Sequence, residues 1–187
     1  MSKKILQKDE KVLHEIANEI PVHDIKSPKI QKILKEMSAS LASQSDGVAI
    51  AGPQIGYSLR VFVVSGKIFE EDFMTNREER ISGDKKINDI LEVNAKTKDL
   101  VFINPVISKL SRKKAWMPEG CLSVRPIYGK TYRSEKATVT AYDEHGVKFV
   151  RGASGLLAQI FQHETDHLNG ILFIDHAKDM REEELAN

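Results

Sequence analysis

The stretch SGLLAQIFQHETDHLNG, residues 154–170, predicts one amphipathic helix around which the rest of the chain is organised. Its apolar residues recur at intervals of three and four, the period of an α-helix, and Asn169-Gly170 is typical of a helix end. His163 and His167 are four positions apart, about one helical turn, so both imidazoles can reach one metal ion. The helix is therefore predicted to be central and to carry a metal site.

Two other segments have a helical spacing of apolar residues. The first begins at Ser27-Pro28, a capping hydroxyl followed by proline, and ends near Asp46-Gly47. The second covers residues 13–20 and stops before Pro21. Strands are predicted for the β-branched segments 60–65, 100–107, 137–142 and 147–150, with the last two joined as a hairpin.

The order of these elements favours one fold class. Helices and strands do not alternate regularly, which argues against a doubly wound parallel sheet. We expect an α+β fold in which mixed or antiparallel strands pack around the metal-binding helix. The length of 187 residues fits one domain, residues 1–187. Within it, segment 67–99 has 16 charged residues in 33, so we expect an exposed insertion there, with short helical pieces around 87–93.

Composition excludes several classes of partner. The 28 basic and 27 acidic residues leave a net charge of +1, which gives no indication of specific nucleic-acid binding. No apolar run approaches the roughly 20 residues that a bilayer span needs, so no membrane partner is expected. The basic start lacks an apolar stretch behind it and does not resemble a signal peptide. We expect a cytoplasmic protein.

Cys121 is the one cysteine of the chain, which excludes an internal disulfide and suits a reducing compartment. Two histidines do not complete a catalytic metal site, because a third protein ligand is needed beside a position open to water. A Cys121 thiolate would complete a Cys-His-His set with His163 and His167. Glu164 lies beside the histidines, where its carboxylate can accept a proton from water.

Two alternatives use other residues. In a metallopeptidase, one of the glutamates at 182–184 would be the third ligand, although this charged tail is better explained as a solvated helix end. In a structural metal site, His176 would be the fourth ligand. The extended pattern HExxHxxGxxH of the metzincin peptidases is excluded, because Phe173 stands at its last position and cannot bind metal.

Three stretches of the chain, in this order, resemble the motifs of the peptide deformylases. They are GVAIAGPQ at 47–54, similar to the family's GxGxAAxQ, the intact EGCLS at 119–123, and QHETDHLNG at 162–170. The resemblance extends from about residue 5 to residue 175, apart from the charged insertion. Ala49 replaces the second glycine of the first motif and Gly52 its second alanine. Arg125-Pro126 stands where many relatives have proline directly after the second motif.

This resemblance implies hydrolytic removal of the N-terminal formyl group from nascent polypeptides that begin with formylmethionine, with release of formate. It implies one divalent metal ion held by Cys121, His163 and His167, with Fe²⁺ favoured and Zn²⁺ or Ni²⁺ as substitutes. Glu164 is then the general base and afterwards the acid. An inactive or specialised deformylase-like binding protein is the remaining alternative.

The resemblance also implies roles for residues around the metal. The side-chain amide of Gln54 and the backbone N–H of Leu122 are expected to stabilise the oxyanion. Residues 47–49, which are Gly47, Val48 and Ala49, are expected to run beside an extended peptide. Ile160 is a candidate for the methionine pocket, or else a core residue, and Glu119 is expected to anchor its loop from behind the metal ligands. The expected partners are N-formylmethionyl peptides and the ribosome near the nascent-chain exit.

Overall fold

The structure is a computed structural model that describes residues 1–71, 73–74 and 97–182. Its two long helices are α1 (Pro28–Ala42) and α2 (Gly155–Leu168). Its strands in the described ranges are β1 (Ala49–Ala51), β2 (Val61–Val64), β3 (Leu100–Leu110), β4 (Lys114–Gly120), β5 (Ile127–Ser134), β6 (Lys136–Tyr142), β7 (Lys148–Ser154) and β8 (Lys178–Glu182). None of the helices in these ranges has the length and apolar character needed to cross a bilayer.

The strands form two antiparallel sheets. A five-stranded sheet has the order β1-β2-β3-β6-β7, and a three-stranded sheet has the order β4-β5-β8. Among the described strands, β1 therefore lies at an edge of the sheet and is paired with β2 on one side. The hairpin predicted between residues 142 and 147 joins β6 to β7, and the predicted α+β class is confirmed.

Helix α2 lies against the five-stranded sheet and also contacts β5 of the smaller sheet. Its apolar face is buried because Phe161 packs edge-on against Phe102, with ring centroids 5.1 Å apart, and Phe102 stacks on Phe62 at 4.6 Å. Burying aromatic rings of this size contributes about 1.5–3 kcal/mol each. The prediction of a central helix at residues 154–168 is confirmed.

Helix α1 begins where the sequence predicted it, but it ends at Ala42 and not near Asp46-Gly47. Ser27 accepts a hydrogen bond from the Ile30 N–H through its hydroxyl, and Pro28 occupies the first helical position. The buried face of α1 packs on the side of the five-stranded sheet that faces away from α2, where it joins Ile50 and Val63 in a second apolar cluster. The loop that follows α1 leads directly into β1.

The helix predicted at residues 13–20 is wrong. A short 3₁₀ turn covers Lys11–His14, and Ile16 is 73% exposed. The backbone beyond it is used in tertiary contacts: Ala17 donates its N–H to the Leu168 carbonyl, and the Asn18 carbonyl accepts from the Arg60 N–H. The apolar spacing therefore reflects an irregular segment in which Leu13, Ala17 and Ile20 are buried.

Several other expectations also need correction. The tail expected to end a helix instead forms strand β8, paired with β5, while residues 183–184 lie outside the described ranges. The start of the segment expected to be an exposed insertion is packed, since Lys67, Ile68 and Phe73 are buried. The helical pieces expected around 87–93 lie outside the described residues.

Candidate metal centre

One group of metal-ligating side chains stands out in the described part of the chain. It consists of Cys121, His163 and His167, whose ligating atoms all lie within 4.8 Å of one another. Cys121 directly follows β4, whereas both histidines project from α2, so the group joins the smaller sheet to the central helix. Cys121 Sγ and His167 Nε2 are 3.2 Å apart.

The donor set fits a divalent transition metal. A thiolate and two imidazoles are the ligands that iron, zinc and nickel share. Burial lowers the pKa of His167 well below its usual value, which keeps this imidazole in the neutral form that binds metal. Cys121 is 8% exposed and His167 is 1% exposed, so the donors are already withdrawn from water.

Glu119 orients the imidazole of His163. Its Oε1 lies 2.6 Å from Nδ1 of His163, which leaves Nε2 of that ring for the ligand group. Burial disfavours the charged form of His163, but the Glu119 carboxylate and the Cys121 sulfur outweigh it and raise the pKa of His163. The hydrogen bond to Glu119 therefore fixes the rotation of the ring and, in its neutral form, places the proton on Nδ1.

The carboxylate of Glu119 is itself held by three side chains. Thr131 donates its hydroxyl over 2.6 Å, Gln159 donates its amide over 3.1 Å, and Arg133 donates through Nη2 over 2.7 Å. Burial disfavours ionisation of Glu119, yet His163 and Arg133 hold the pKa of this carboxyl far below its usual range. The result is a rigid anion behind the metal ligands.

Sequence reasoning missed Arg133, Thr131 and Gln159. Arg133 also donates to Asp166 of α2 over 2.6 Å, and Glu119 and Asp166 raise its pKa against the effect of burial. A signal was present in β5, where buried Thr131 and Arg133 alternate with exposed Lys130 and Tyr132. An arginine at an inward position of a strand indicates a buried carboxylate partner.

Glu164 is a buried carboxyl that faces the same space. It is 3% exposed, and its Oε2 has no hydrogen-bond partner among the described residues. Burial raises the pKa of Glu164 to about 7. A carboxyl with a free oxygen and a pKa near neutrality can accept a proton and return it.

Gln54 points its amide at the ligand group. Its Oε1 accepts the Ala51 N–H over 2.8 Å, which turns Nε2 toward Ser123 Oγ at 3.1 Å and Cys121 Sγ at 3.5 Å. Gln54 is 1% exposed. A buried N–H donor is thus fixed beside the sulfur, in the position from which it can stabilise a developing negative charge.

A cleft with an empty volume of about 690 Å³ opens onto this group. One wall is formed by residues 46–49 and the other by residues 118–122 with Arg125 and Tyr128, while α2 forms the floor. Ten of the eleven site residues expected from the sequence line it: Gly47, Val48, Ala49, Gln54, Glu119, Cys121, Leu122, Ile160, His163 and Glu164. His167 lies behind them, and Ile160 belongs both to the cleft and to the core.

The residues that the two alternative metal sites require are elsewhere. Glu182 is exposed in β8, and Glu183 and Glu184 lie outside the described residues. His176 is 38% exposed and its Nε2 lies 3.9 Å from an Asp166 oxygen. In the described part of the chain, neither Glu182 nor His176 joins the ligand group, so Glu182 is not the third ligand and His176 is not the fourth.

Comparison with known proteins identifies the family. The family model described as polypeptide deformylase matches residues 2–183. A peptide deformylase of Carboxydothermus hydrogenoformans is 36% identical over 174 residues, which cover 93% of this chain and 92% of that protein. The chloroplastic/mitochondrial peptide deformylase 1A of Arabidopsis thaliana is 38% identical over 171 residues. These cover 91% of this chain but 60% of the plant protein, so the chain spans about three fifths of that relative.

The fold agrees with the sequence match. The crystal structure of a class I type b peptide deformylase from Acinetobacter baumannii, bound to Met-Ala-Ser, superposes with a TM-score of 0.73. The identity is 28%, and the match covers 94% of this chain and 99% of that one. From the family match over nearly the whole sequence and this likeness of fold, the chain belongs to the peptide deformylase family.

Proposed function

We propose that the protein removes the formyl group from the N-terminus of formylmethionyl polypeptides. One observation carries the proposal: a cleft opens onto a Cys-His-His donor set, and a buried carboxyl with a free oxygen lines the same cleft. An edge strand, β1, forms part of the same cleft. These are the parts that hydrolysis of a terminal amide requires: a metal site, a base and a place for an extended peptide.

The reaction consumes one water and yields formate and a free amine. Glu164 takes a proton from the attacking water as the new C–O bond forms, and delivers it to the amine nitrogen as the C–N bond breaks. Cys121, His163 and His167 would hold a divalent ion, which would supply Lewis acidity to the reaction. The Glu119 carboxylate holds His163 in place throughout.

The developing negative charge needs donors that are fixed before the reaction. The Gln54 amide is such a donor, because its own carbonyl is anchored by the Ala51 N–H. The backbone N–H of Leu122, next to Cys121, is assigned as the second donor. Each such donor contributes about 3–4 kcal/mol to transition-state stabilisation in comparable enzymes.

The peptide is proposed to bind as an added strand beside residues 47–49. Gly47, Val48 and Ala49 line the cleft, and β1 has no strand neighbour on this side among the described residues. Main-chain hydrogen bonds in such an arrangement accept many side chains, as processing of diverse polypeptides requires. Leu156 and Ile160 on the floor are assigned to the methionine side chain.

The resident metal is proposed to be Fe²⁺, with Zn²⁺ and Ni²⁺ as substitutes that the same ligands accept. Because Cys121 must stay reduced to bind metal, we place the reaction in a reducing cytoplasm. The substrate is a newly made chain, so we further propose that the protein acts near the ribosomal nascent-chain exit. Metal analysis of protein purified without oxygen, and co-sedimentation with ribosomes, test these two assignments.

The decisive experiment measures formate from formyl-Met-Ala-Ser with iron-loaded protein kept free of oxygen. We expect formate, no internal peptide cleavage, and no reaction of Met-Ala-Ser. Cys121→Ala should lose most bound metal, whereas Glu164→Gln should keep its metal and lose about 10²–10⁴-fold in kcat. Internal cleavage would indicate a peptidase, and a metal-loaded protein that releases no formate would indicate a specialised binding protein.

A further inference from the structure

Two oppositely charged side chains from opposite walls meet at the rim of the cleft. Arg125 contacts Asp46 Oδ1 through Nη2 and donates to Gln44 Oε1 through Nη1 over 3.0 Å. Both charged residues line the cleft, and their side chains are 24% and 19% exposed. We call Asp46 and Arg125 the rim ion pair.

The rim ion pair is not explained by the metal centre. Arg125 belongs to the Arg125-Pro126 departure noted in the sequence, and it follows Cys121 by four positions. Asp46 directly precedes Gly47, where the proposed peptide wall begins. The pair therefore links the loop that carries the thiol to the segment that leads into the edge strand.

The position of the pair along the cleft can be related to a bound peptide. Ala51, at the end of β1, is bonded to Gln54, whose amide is 3.5 Å from Cys121 Sγ. That end of β1 is therefore next to the metal centre, and Asp46 is five positions upstream. In an added strand the peptide residues pair one to one with the strand residues, so a first residue opposite Ala49 places the third residue opposite Gly47, which adjoins Asp46. A peptide with its formyl group at the metal and its chain along residues 47–49 brings its third residue to the rim ion pair.

We propose that the rim ion pair determines specificity by making the cleft indifferent to the charge of the third residue of the peptide. This inference rests on the proposed function. Each charge of the pair cancels the field of the other at close range, so neither a basic nor an acidic side chain is favoured there. A lone charge in the same half-buried position would attract one sign and repel the other. Indifference to charge suits an enzyme that meets many different N-termini.

The test compares kcat/KM for formyl-Met-Ala-Lys and formyl-Met-Ala-Glu. The wild-type ratio should be within about 3-fold of one. Arg125→Gln leaves Asp46 unpaired and should shift the ratio toward lysine by about 5-fold. Asp46→Asn leaves Arg125 unpaired and should shift it about 5-fold toward glutamate. The double variant, which has neither charge, should return close to the wild-type ratio.

A second ion pair, more exposed and away from the cleft, provides the control. Lys113 Nζ lies 3.0 Å from Glu135 Oε1, and neither residue is among those that line the cleft. Lys113→Gln and Glu135→Gln should leave the ratio unchanged. The inference is overturned if Arg125→Gln and Asp46→Asn shift the ratio in the same direction, or not at all, while both remain folded by circular dichroism.

Equilibrium binding separates this inference from the proposed function. The affinities of Met-Ala-Lys and Met-Ala-Glu, measured by calorimetry, should show the same opposite shifts in the two variants. If the wild type releases no formate but these shifts occur, the function fails and the role of the pair stands. If formate is released but peptide binding shows no shift in either variant, the role of the pair fails.

Discussion

At the scale of single residues, the surroundings of two carboxyls in the site shift their pKa values in opposite directions. Glu119 is surrounded by cations and hydrogen-bond donors, which hold its pKa far below the usual range. Glu164 lines the same cleft but is affected mainly by burial, which raises its pKa to about 7. One carboxyl is thus a permanent anion for structure, and the other can exchange a proton.

This difference predicts the pH dependence of the reaction. With Glu164 as the proposed base, activity should be present above its pKa and should be lost as the pH falls through it. The charge of a bound metal lowers that pKa, so the acidic limb of kcat/KM should lie at or below about pH 7. Rates measured from pH 4 to 9 should fall tenfold per unit on that limb, and the residual rate of Glu164→Gln should not show it. An unchanged acidic limb in the variant would assign it to another group.

At the scale of elements, the turn after β1 explains one departure from the family pattern. A Cβ on Gly52 would lie 2.9 Å from the carbonyl oxygens of both Leu59 and Tyr57, which are backbone atoms and cannot move aside. Ala49, in contrast, is in strand β1 at 5% exposure, where its methyl group is accommodated. The glycine is thus required at position 52 of this chain.

Gly52→Ala should therefore reduce the free energy of unfolding by about 1–3 kcal/mol through steric strain. The measurement is urea unfolding, with Gly152→Ala as the matched control. A Cβ at Gly152 meets Thr138 Oγ1 at 3.7 Å, an ordinary contact, so the control should stay within about 1 kcal/mol of the wild type. Equal losses in both variants would contradict the account of the turn.

At the scale of the whole molecule, the metal centre joins two parts of the fold. Cys121 comes from the end of β4 in the smaller sheet, and the two histidines come from α2, which packs on the larger sheet. A metal that binds only the folded protein, at a free concentration 100 times its Kd, adds about 2.7 kcal/mol to the free energy of unfolding. For a chain of this size that corresponds to roughly 5–10 °C in Tm.

Removing the metal with a chelator should lower Tm by that amount in the wild type, measured by scanning calorimetry. Cys121→Ala, which lacks the ligand from the smaller sheet, should melt near the metal-free wild type and respond little to chelator. A wild-type Tm that is insensitive to chelator, with metal loss confirmed by elemental analysis, would show that the centre does not stabilise the fold.

An element of this fold could be predicted when the residues that determine it lie within its own segment. Helices α1 and α2 have their apolar period within the segment, and the Ser27 cap of α1 and the Asn169-Gly170 end of α2 lie there as well, so the sequence was sufficient. β4 was missed because Pro118 and Gly120 interrupt its strand pattern, and β8 because all five of its residues are exposed. Its strand form comes from pairing with β5, which a local pattern does not contain.

The same contrast holds for the site. Recognisable motifs contain the ligand group, Glu164 and Gln54. The structure brings these residues together around one cleft. Arg133 belongs to no motif, because its role depends on hydrogen bonds to residues distant in sequence. Its partners are Glu119 in β4 and Asp166 on α2. Single-domain organisation and the roles assigned to the cleft residues stay predictions.

The edge strand β1 has a consequence for how this site can change over evolutionary time. If a peptide is held through the main chain of residues 47–49, its binding does not depend directly on the side chains there, and packing is what limits their change. Ala49 in place of the family's glycine is accommodated, whereas a Cβ on Gly47 would lie 2.9 Å from Gln44 Cβ. An inhibitor that imitates the peptide backbone would for the same reason be hard to escape by point substitution along this wall, because every substitution except proline leaves the backbone donors in place.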